Sequence, residues 1–411
     1  MKKLLSLGMV LFLSFCGTLS AGEEISAVTR DTVGGKKKWF DGGGIGLGPE
    51  KLWRISPGFK YSTLYDSNVN REPHTKQDHD IIMQFIPSIA LSRIGSKFGI
   101  LSDYEMNYQL FLRDSDQTSF NHRFNTKAWY ESERLKVKLH ESFGWVKTYA
   151  TTEQTERRIV IFNKVNPEVS YRVTSKVSVS SIYENSIFHY KDTVLEENSY
   201  IRNDIGGRVY YHVTDKTDLF LQGSSIFTDY YQTESESFDS HGYGIYVGVI
   251  GEVTDKTIVN LKTGFESRDY DNGTINSFDN WVGELGLRHS LTAKSDVTLI
   301  AKRGIEESIY RNTGWYGFNK FSLHYDYQVT HNIAAQIIGG FQHNGYPRQT
   351  FEGPIRRKRK DKIITAEAKL KWEPISNVIL AGGYTYGTRI CNFDEFDYIE
   401  HAIEASTSLK F

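Results

Sequence analysis

The sequence has little that a helical membrane protein, a disulfide-stapled domain or a polyanion binder requires. Past its first twenty residues it contains no run of eighteen apolar residues, so no helix spans a bilayer. It has two cysteines, Cys16 and Cys391, and Cys16 lies in a leader described below. Cys391 then stands alone, which excludes an intramolecular disulfide framework. Neither sign of charge is in excess: 49 basic residues face 50 acidic ones, for a net charge of −1, so nucleic acid is not expected as a partner. There is no Walker glycine loop, Gly-x-Ser-x-Gly elbow, Cys-x-x-Cys pair or His-Glu-x-x-His helix. No cofactor, metal or catalytic residue is therefore expected, and the chain reads as something other than an enzyme.

What is present is a short polar turn that returns about every forty residues. Its centres, Gly95, Arg134, Ser175, Asp215, Asp255, Ala293, His331 and Ile375, are separated by steps of 39, 41, 40, 40, 38, 38 and 44. Such regularity implies one supersecondary unit used repeatedly. Before the Val253 turn, Tyr243, Ile245, Val247, Val249 and Gly251 alternate with Gly244, Tyr246, Gly248, Ile250 and Glu252. After it, Val259, Leu261, Thr263 and Phe265 alternate with Asn260, Lys262, Gly264 and Glu266. The unit is a long two-sided β-hairpin. Three residues break the pattern: Arg303 falls on the apolar face, and Ile300 and Ile379 on the polar one.

Two strands flank each turn; a strand from Trp53 to Thr63 and a last strand over Phe396–Phe411 complete a set of eighteen. Tight turns at one end oppose longer polar connections at the other, at residues 64–77, 191–198, 231–238 and 345–357. The expected fold is all-β, a transmembrane antiparallel up-and-down barrel of about eighteen strands with short periplasmic turns and longer external loops. A β-propeller also repeats every forty residues or so, but its blades need four short strands where only two long ones fit here.

Lys2 and Lys3 precede the apolar run Leu4–Phe15, and Ser20, Ala21 and Gly22 offer a cleavage site, so residues 1–21 read as a signal peptide. Phe15 before Cys16 argues against a lipoprotein. Residues 22–52, with the string Gly42–Gly48, read as a Gly-rich periplasmic lead-in, and 53–411 as the barrel. Ile399, His401, Ile403, Ala405, Thr407, Leu409 and Phe411 share a face of the last strand; Phe411 is the expected signal to the barrel-assembly machinery. Aromatics make up 14% of residues, as a thin wall between lipid and water needs, and Trp53, Trp145, Trp281, Trp315 and Trp372 sit where headgroup girdles form. The expected site is the bacterial outer membrane of a Gram-negative cell, with outer-membrane lipid and lipopolysaccharide as neighbours.

Leu64-Tyr65-Asp66-Ser67-Asn68-Val69, then Asp78, Phe85-Ile86-Pro87-Ser88-Ile89, Arg359 to Asp361, and the terminal strand together resemble the putative beta-barrel porin 2 family. Members are often associated with exopolysaccharide or exosortase-type gene clusters. The resemblance extends over nearly all of the mature chain. It implies an outer-membrane barrel serving polysaccharide export, with no catalytic residues to carry over.

Two groups of side chains are candidates for function. Lys262, Glu266, Arg268, Glu284, Arg288, Glu367 and Lys369 are expected on a polar channel wall. Arg356-Arg357-Lys358-Arg359-Lys360 is expected in a late external connection, where cations attract lipopolysaccharide phosphates or an acidic polymer. Asp269-Tyr270-Asp271-Asn272-Gly273 reads as an Asx-Gly hairpin turn and not as a calcium loop. The expected function is a porin-like channel for hydrophilic solutes or an exported exopolysaccharide. The alternatives are a non-conducting scaffold that holds a periplasmic export component, and a hydrolase built on Asp66, Glu72, His74 and His79.

Overall fold

The computed structural model describes residues 45–47, 52–73, 75–149, 152–153, 157–191, 195–231, 238–309, 313–352 and 355–411. The leader, most of the lead-in and His74 lie outside the described residues. A three-residue strand β1 (Ile45–Leu47) precedes the barrel strands β2 (Trp53–Asp66), β3 (Asp80–Ile94), β4 (Phe98–Phe111), β5 (Ser119–Glu131), β6 (Leu135–Thr148) and β7 (Arg158–Arg172). Next come β8 (Val177–Tyr190), β9 (Tyr200–Thr214), β10 (Thr217–Tyr230), β11 (Ser240–Thr254), β12 (Thr257–Tyr270) and β13 (Phe278–Thr292). The last six are β14 (Ser295–Glu307), β15 (Trp315–Gln328), β16 (Ile333–Glu352), β17 (Ile355–Ile375), β18 (Val378–Cys391) and β19 (Tyr398–Lys410). Each strand pairs antiparallel with the next, and β19 closes the ring on β2 from Ala402↔Asp66 to Lys410↔Gly58. β1 lies on the same edge of β2 beyond the end of β19, from Ile45↔Ile55 to Leu47↔Trp53. The result is a closed eighteen-strand antiparallel barrel.

The recurring turn has a local cause. Thr174, Thr214, Thr254 and Thr292 each accept, through Oγ1, the N–H of the residue two places on, at 3.1–3.3 Å. The hydroxyl replaces the ladder bond that the chain gives up when it reverses. The pleat then sorts the side chains. Tyr243, Ile245 and Val247 of β11 are more than half exposed on the outer surface, while Tyr246 between them is buried inside. Arg303 does point outward, capped by the Trp281 ring at 4.6 Å and bonded to Asn319, whereas Ile300 and Ile379 are buried.

Several boundaries differ from the sequence reading. β2 runs on to Asp66, so the first long connection starts later than residue 64. β16 and β17 extend through most of the expected connection at 345–357. The Asp271–Gly273 segment opens a longer connection, in which Asn272 Oδ1 accepts the Thr274 N–H at 3.0 Å, and is not a two-residue hairpin. Trp145, Trp281 and Trp372 face outward as a girdle requires, but Trp315 turns inward onto Phe278 and donates Nε1–H to Asn276 O at 2.6 Å. The β14–β15 hairpin has left the wall at that point: β13 pairs with β14 only as far as Gly283↔Arg303, and β15 pairs with β16 only from Gly317↔Gly345. Ile305, past that point, packs with Phe278, Val282 and Tyr246 on the inner side.

Candidate functional site: the inner wall and the loop-end mouth

The register turns Lys262, Glu266, Arg268, Glu284, Arg288, Glu367 and Lys369 to the face opposite the exposed aliphatic residues. They are not isolated charges. Lys302 reaches Glu284 at 3.1 Å, Arg288 reaches Asp296 at 3.1 Å, and Lys369 reaches Glu367 at 2.6 Å. Arg268 is enclosed between Glu266, at 2.8 Å, and Glu307. Two of these pairs join β13 to β14, two lie within β12 or β17, and Arg268–Glu307 reaches from β12 to β14, so opposite charges adjoin one another along this part of the inner wall. Farther round, Lys60, Lys369, Lys371 and Glu404 surround a recess floored by Ala381 and Gly383. There the small residues of β18 leave room between long side chains.

The five cations of residues 356–360 do not form one loop surface. They belong to β17, where Arg357 pairs with Thr350, Lys358 with Gln349 and Lys360 with Gly345. Arg356, Arg357, Lys358 and Lys360 are exposed, whereas Arg359 is turned inward and buried. Both forks of Arg359 bind Asp361 at 2.9 Å, and its guanidinium lies 3.8 Å from the centre of the Phe396 ring. Of the residues in the hydrolytic reading, Asp66 and Glu72 are both held through Asn68, and His79 lies against Arg113. Asp66 Oδ1 accepts the Asn68 N–H at 2.8 Å, and Asn68 Oδ1 holds the Glu72 N–H at 2.9 Å.

The feature the sequence did not announce is the connection between β6 and β7. Its described residues reach across the barrel to strands a third to half of the circumference away. Thr152 O accepts Arg389 Nη1–H of β18 at 2.7 Å, and Thr152 Oγ1 accepts Asn344 Nδ2–H of β16 at 3.1 Å. Glu153 is fully buried. Its carboxylate accepts Ser308 Oγ–H at 2.8 Å and the Ile309 N–H at 2.9 Å, both between β14 and β15. Burial pushes this carboxyl up to about 7, against the opposing pull of Arg359 and those donors. Tyr149 donates to Val69 O beside β2, and Arg71 lies over the Tyr149 ring at 4.1 Å while binding Glu400 at 3.0 Å. Ile309 adds an apolar bridge by packing on Val160, Tyr190 and Leu195. Opposite walls of the mouth are thus tied through one connection, above a charged inner wall.

Arg389 and Glu400 fall on inward positions that alternation alone identifies. Nothing in the sequence marks Glu153, because its partners lie 155 and 156 residues away.

A family model described as Putative beta-barrel porin 2 matches residues 172–411. The match includes Arg359 to Asp361 and the terminal strand, but not the segments at 64–69 and 85–89. No curated protein matches the chain. Among solved structures, OpdK of Pseudomonas aeruginosa, crystallised with vanillate, is similar with 12% identity and a TM-score of 0.47, over 87% of this chain and 99% of that one. A BenF-like porin of Pseudomonas fluorescens Pf-5 is similar with 10% identity and a TM-score of 0.47, over the same shares.

Proposed function

Because the chain belongs to the Putative beta-barrel porin 2 family, we propose that it is an outer-membrane channel for hydrophilic solutes whose particular cargo is an exported acidic exopolysaccharide. The observation that carries this reading is the contrast between an aliphatic and aromatic outer surface and an inner wall of paired charges. Such a wall keeps water inside the barrel while its pairs neutralise one another. In the recess at Lys60, Lys369 and Lys371 the ammonium groups of Lys60 and Lys369 are held by Glu404 and Glu367, so a sugar carboxylate binding there would exchange for a protein carboxylate. Export through the leader at residues 1–21, insertion by the barrel-assembly machinery through the strand ending at Phe411, and contact of Arg356, Lys358 and Lys360 with lipopolysaccharide belong to the same proposal.

The connection tied across the mouth favours a second reading, a scaffold that conducts nothing and holds a periplasmic export component. Single-channel recording from the purified protein in a planar bilayer separates the two. The channel reading expects stepwise conductance that acidic oligosaccharide blocks, with block weakened in Lys369→Ala and Lys371→Ala. If the native protein and an Arg389→Ala, Glu153→Ala variant are both silent while heat-modifiable gel migration shows folded barrels, the scaffold reading replaces it.

A further inference from the structure

At the tight-turn end of the barrel three adjacent strands bring a hydroxyl, an imidazole and a carboxylate into one line. Ser178 is the second residue of β8, His212 the third from the end of β9 and Asp218 the second of β10. Val179, Tyr211 and Leu219 beside them are exposed on the outer surface, so alternation turns all three inward. His212 pairs directly with Asp218 across the hairpin, and its backbone N–H donates to Lys176 O, just before β8. Ser178 Oγ lies 2.8 Å from His212 Nε2, and Asp218 Oδ1 lies 2.6 Å from His212 Nδ1.

The direction of the protons follows from the acceptor at the far end. An ionised carboxylate only accepts, so His212 donates from Nδ1 and leaves the Nε2 lone pair for the Ser178 hydroxyl. Nucleophile, base and orienting carboxylate thus stand in the relation that activates a serine. Acyl transfer also needs a donor for the oxyanion. Arg172 of β7 is paired with Ser178, which sets the two Cβ atoms about 5 Å apart on the inner face. Its side chain is exposed and makes no hydrogen bond or ion pair with another described residue. The next pair along the same face, Ser170↔Ser180, has short side chains on both strands. The side chains of His212 and Asp218 are 22% and 31% exposed, so water at the turn-end mouth reaches the site.

We propose that Ser178, His212, Asp218 and Arg172 form a serine esterase site that removes small acyl groups from hydrophilic solutes at this mouth. Ser178 Oγ attacks the acyl carbonyl carbon while its proton moves to His212 Nε2, and the carbonyl electron pair moves onto the oxygen beside the Arg172 guanidinium. When that pair returns, the ester C–O bond breaks and the leaving alkoxide takes the proton from His212. Water repeats the sequence on the acyl-serine, so one ester and one water give an alcohol and a carboxylic acid. The short side chains of Ser170 and Ser180 suit an acetyl-sized acyl group. That the alcohol is a sugar rests on the channel reading, whereas the site itself opens at the mouth and needs no open passage.

Purified protein, shown to be folded by heat-modifiable gel migration, is treated with a fluorophosphonate and separately with p-nitrophenyl acetate. Peptide mass spectrometry is expected to find the label on Ser178, and the ester to be hydrolysed with saturation. Ser178→Ala and His212→Ala should lose both. Asp218→Asn should lower kcat by up to about 10⁴-fold, because it favours the wrong imidazole tautomer. Arg172→Ala should lower kcat by about 10²–10³ with KM little changed. Ser322→Ala, which removes a hydroxyl 2.8 Å from His324 on β15, should keep the native rate. A folded native protein that is unlabelled at Ser178, or that does not turn over the ester, overturns the proposal, as does native turnover in Ser178→Ala. Conductance reports on the channel reading separately: a silent bilayer from protein that is labelled at Ser178 and hydrolyses the ester fails that reading and supports this one.

Discussion

Arg268 shows what a buried cation does in this wall: it separates Glu266 from Glu307 and is itself almost wholly enclosed. Replacing it with Met leaves two carboxylates facing each other without their cation. Breaking such a buried set costs about 3–5 kcal/mol, so Arg268→Met is expected to lower the urea midpoint of the folded barrel well below that of Lys262→Met. Equal midpoints would show that water already compensates the site. Glu153 is the other decisive residue. Its carboxyl is raised from an ordinary 4.5 to about 7 where it is docked, so the docked state holds the proton more tightly. Docking is therefore fully stabilised below about pH 4.5 and loses that stabilisation as the pH rises to about 7. Open time in single-channel recordings should increase over this interval, and Glu153→Gln should abolish the dependence. An unchanged pH profile in Glu153→Gln would assign the effect to another group. The inward set from Lys262 to Lys369 was legible from alternation alone, whereas Glu153, in a connection, has no alternation to place it.

At the scale of the element, the hairpins depend on how closely neighbouring backbones approach. Gly251 of β11 has φ +135°, and a Cβ there would stand 1.9 Å from Lys216 O across the β10 turn. Gly223 of β10 has open space at the same position. A residue held in so sparsely populated a backbone region costs about 1–3 kcal/mol. Gly251→Ala should therefore shift the thermal unfolding of the barrel downward, and Gly223→Ala should leave it nearly unchanged; similar shifts would mean that the turn simply rearranges. The hairpin repeat and its Thr turns were legible because both are local. The cationic run at 356–360 was misjudged for a local reason as well: charge suggested a loop, but β16 and β17 extend past the apolar band and keep the pleat, which sends Arg359 inward to Asp361.

For the whole molecule, the paired inner wall predicts weak discrimination by charge. With Glu284, Glu367 and Glu404 each beside a lysine, the passage presents no field of one sign. The reversal potential under a KCl gradient is expected near zero, and a strong cation or anion preference would mean that unpaired charges elsewhere control the passage. The sequence by itself determined the number of strands, their two faces, the turns that join them and the closed antiparallel ring. Those follow from a two-residue period and a forty-residue repeat, which involve neighbours along the chain or in the next hairpin. Only the tertiary structure decided that β14 leaves the wall near the mouth, that Trp315 turns inward, and that Thr152 and Glu153 cross to Arg389, Ser308 and Ile309. Those contacts join strands on opposite sides of the ring, and closing the barrel is what brings their residues within reach of one another.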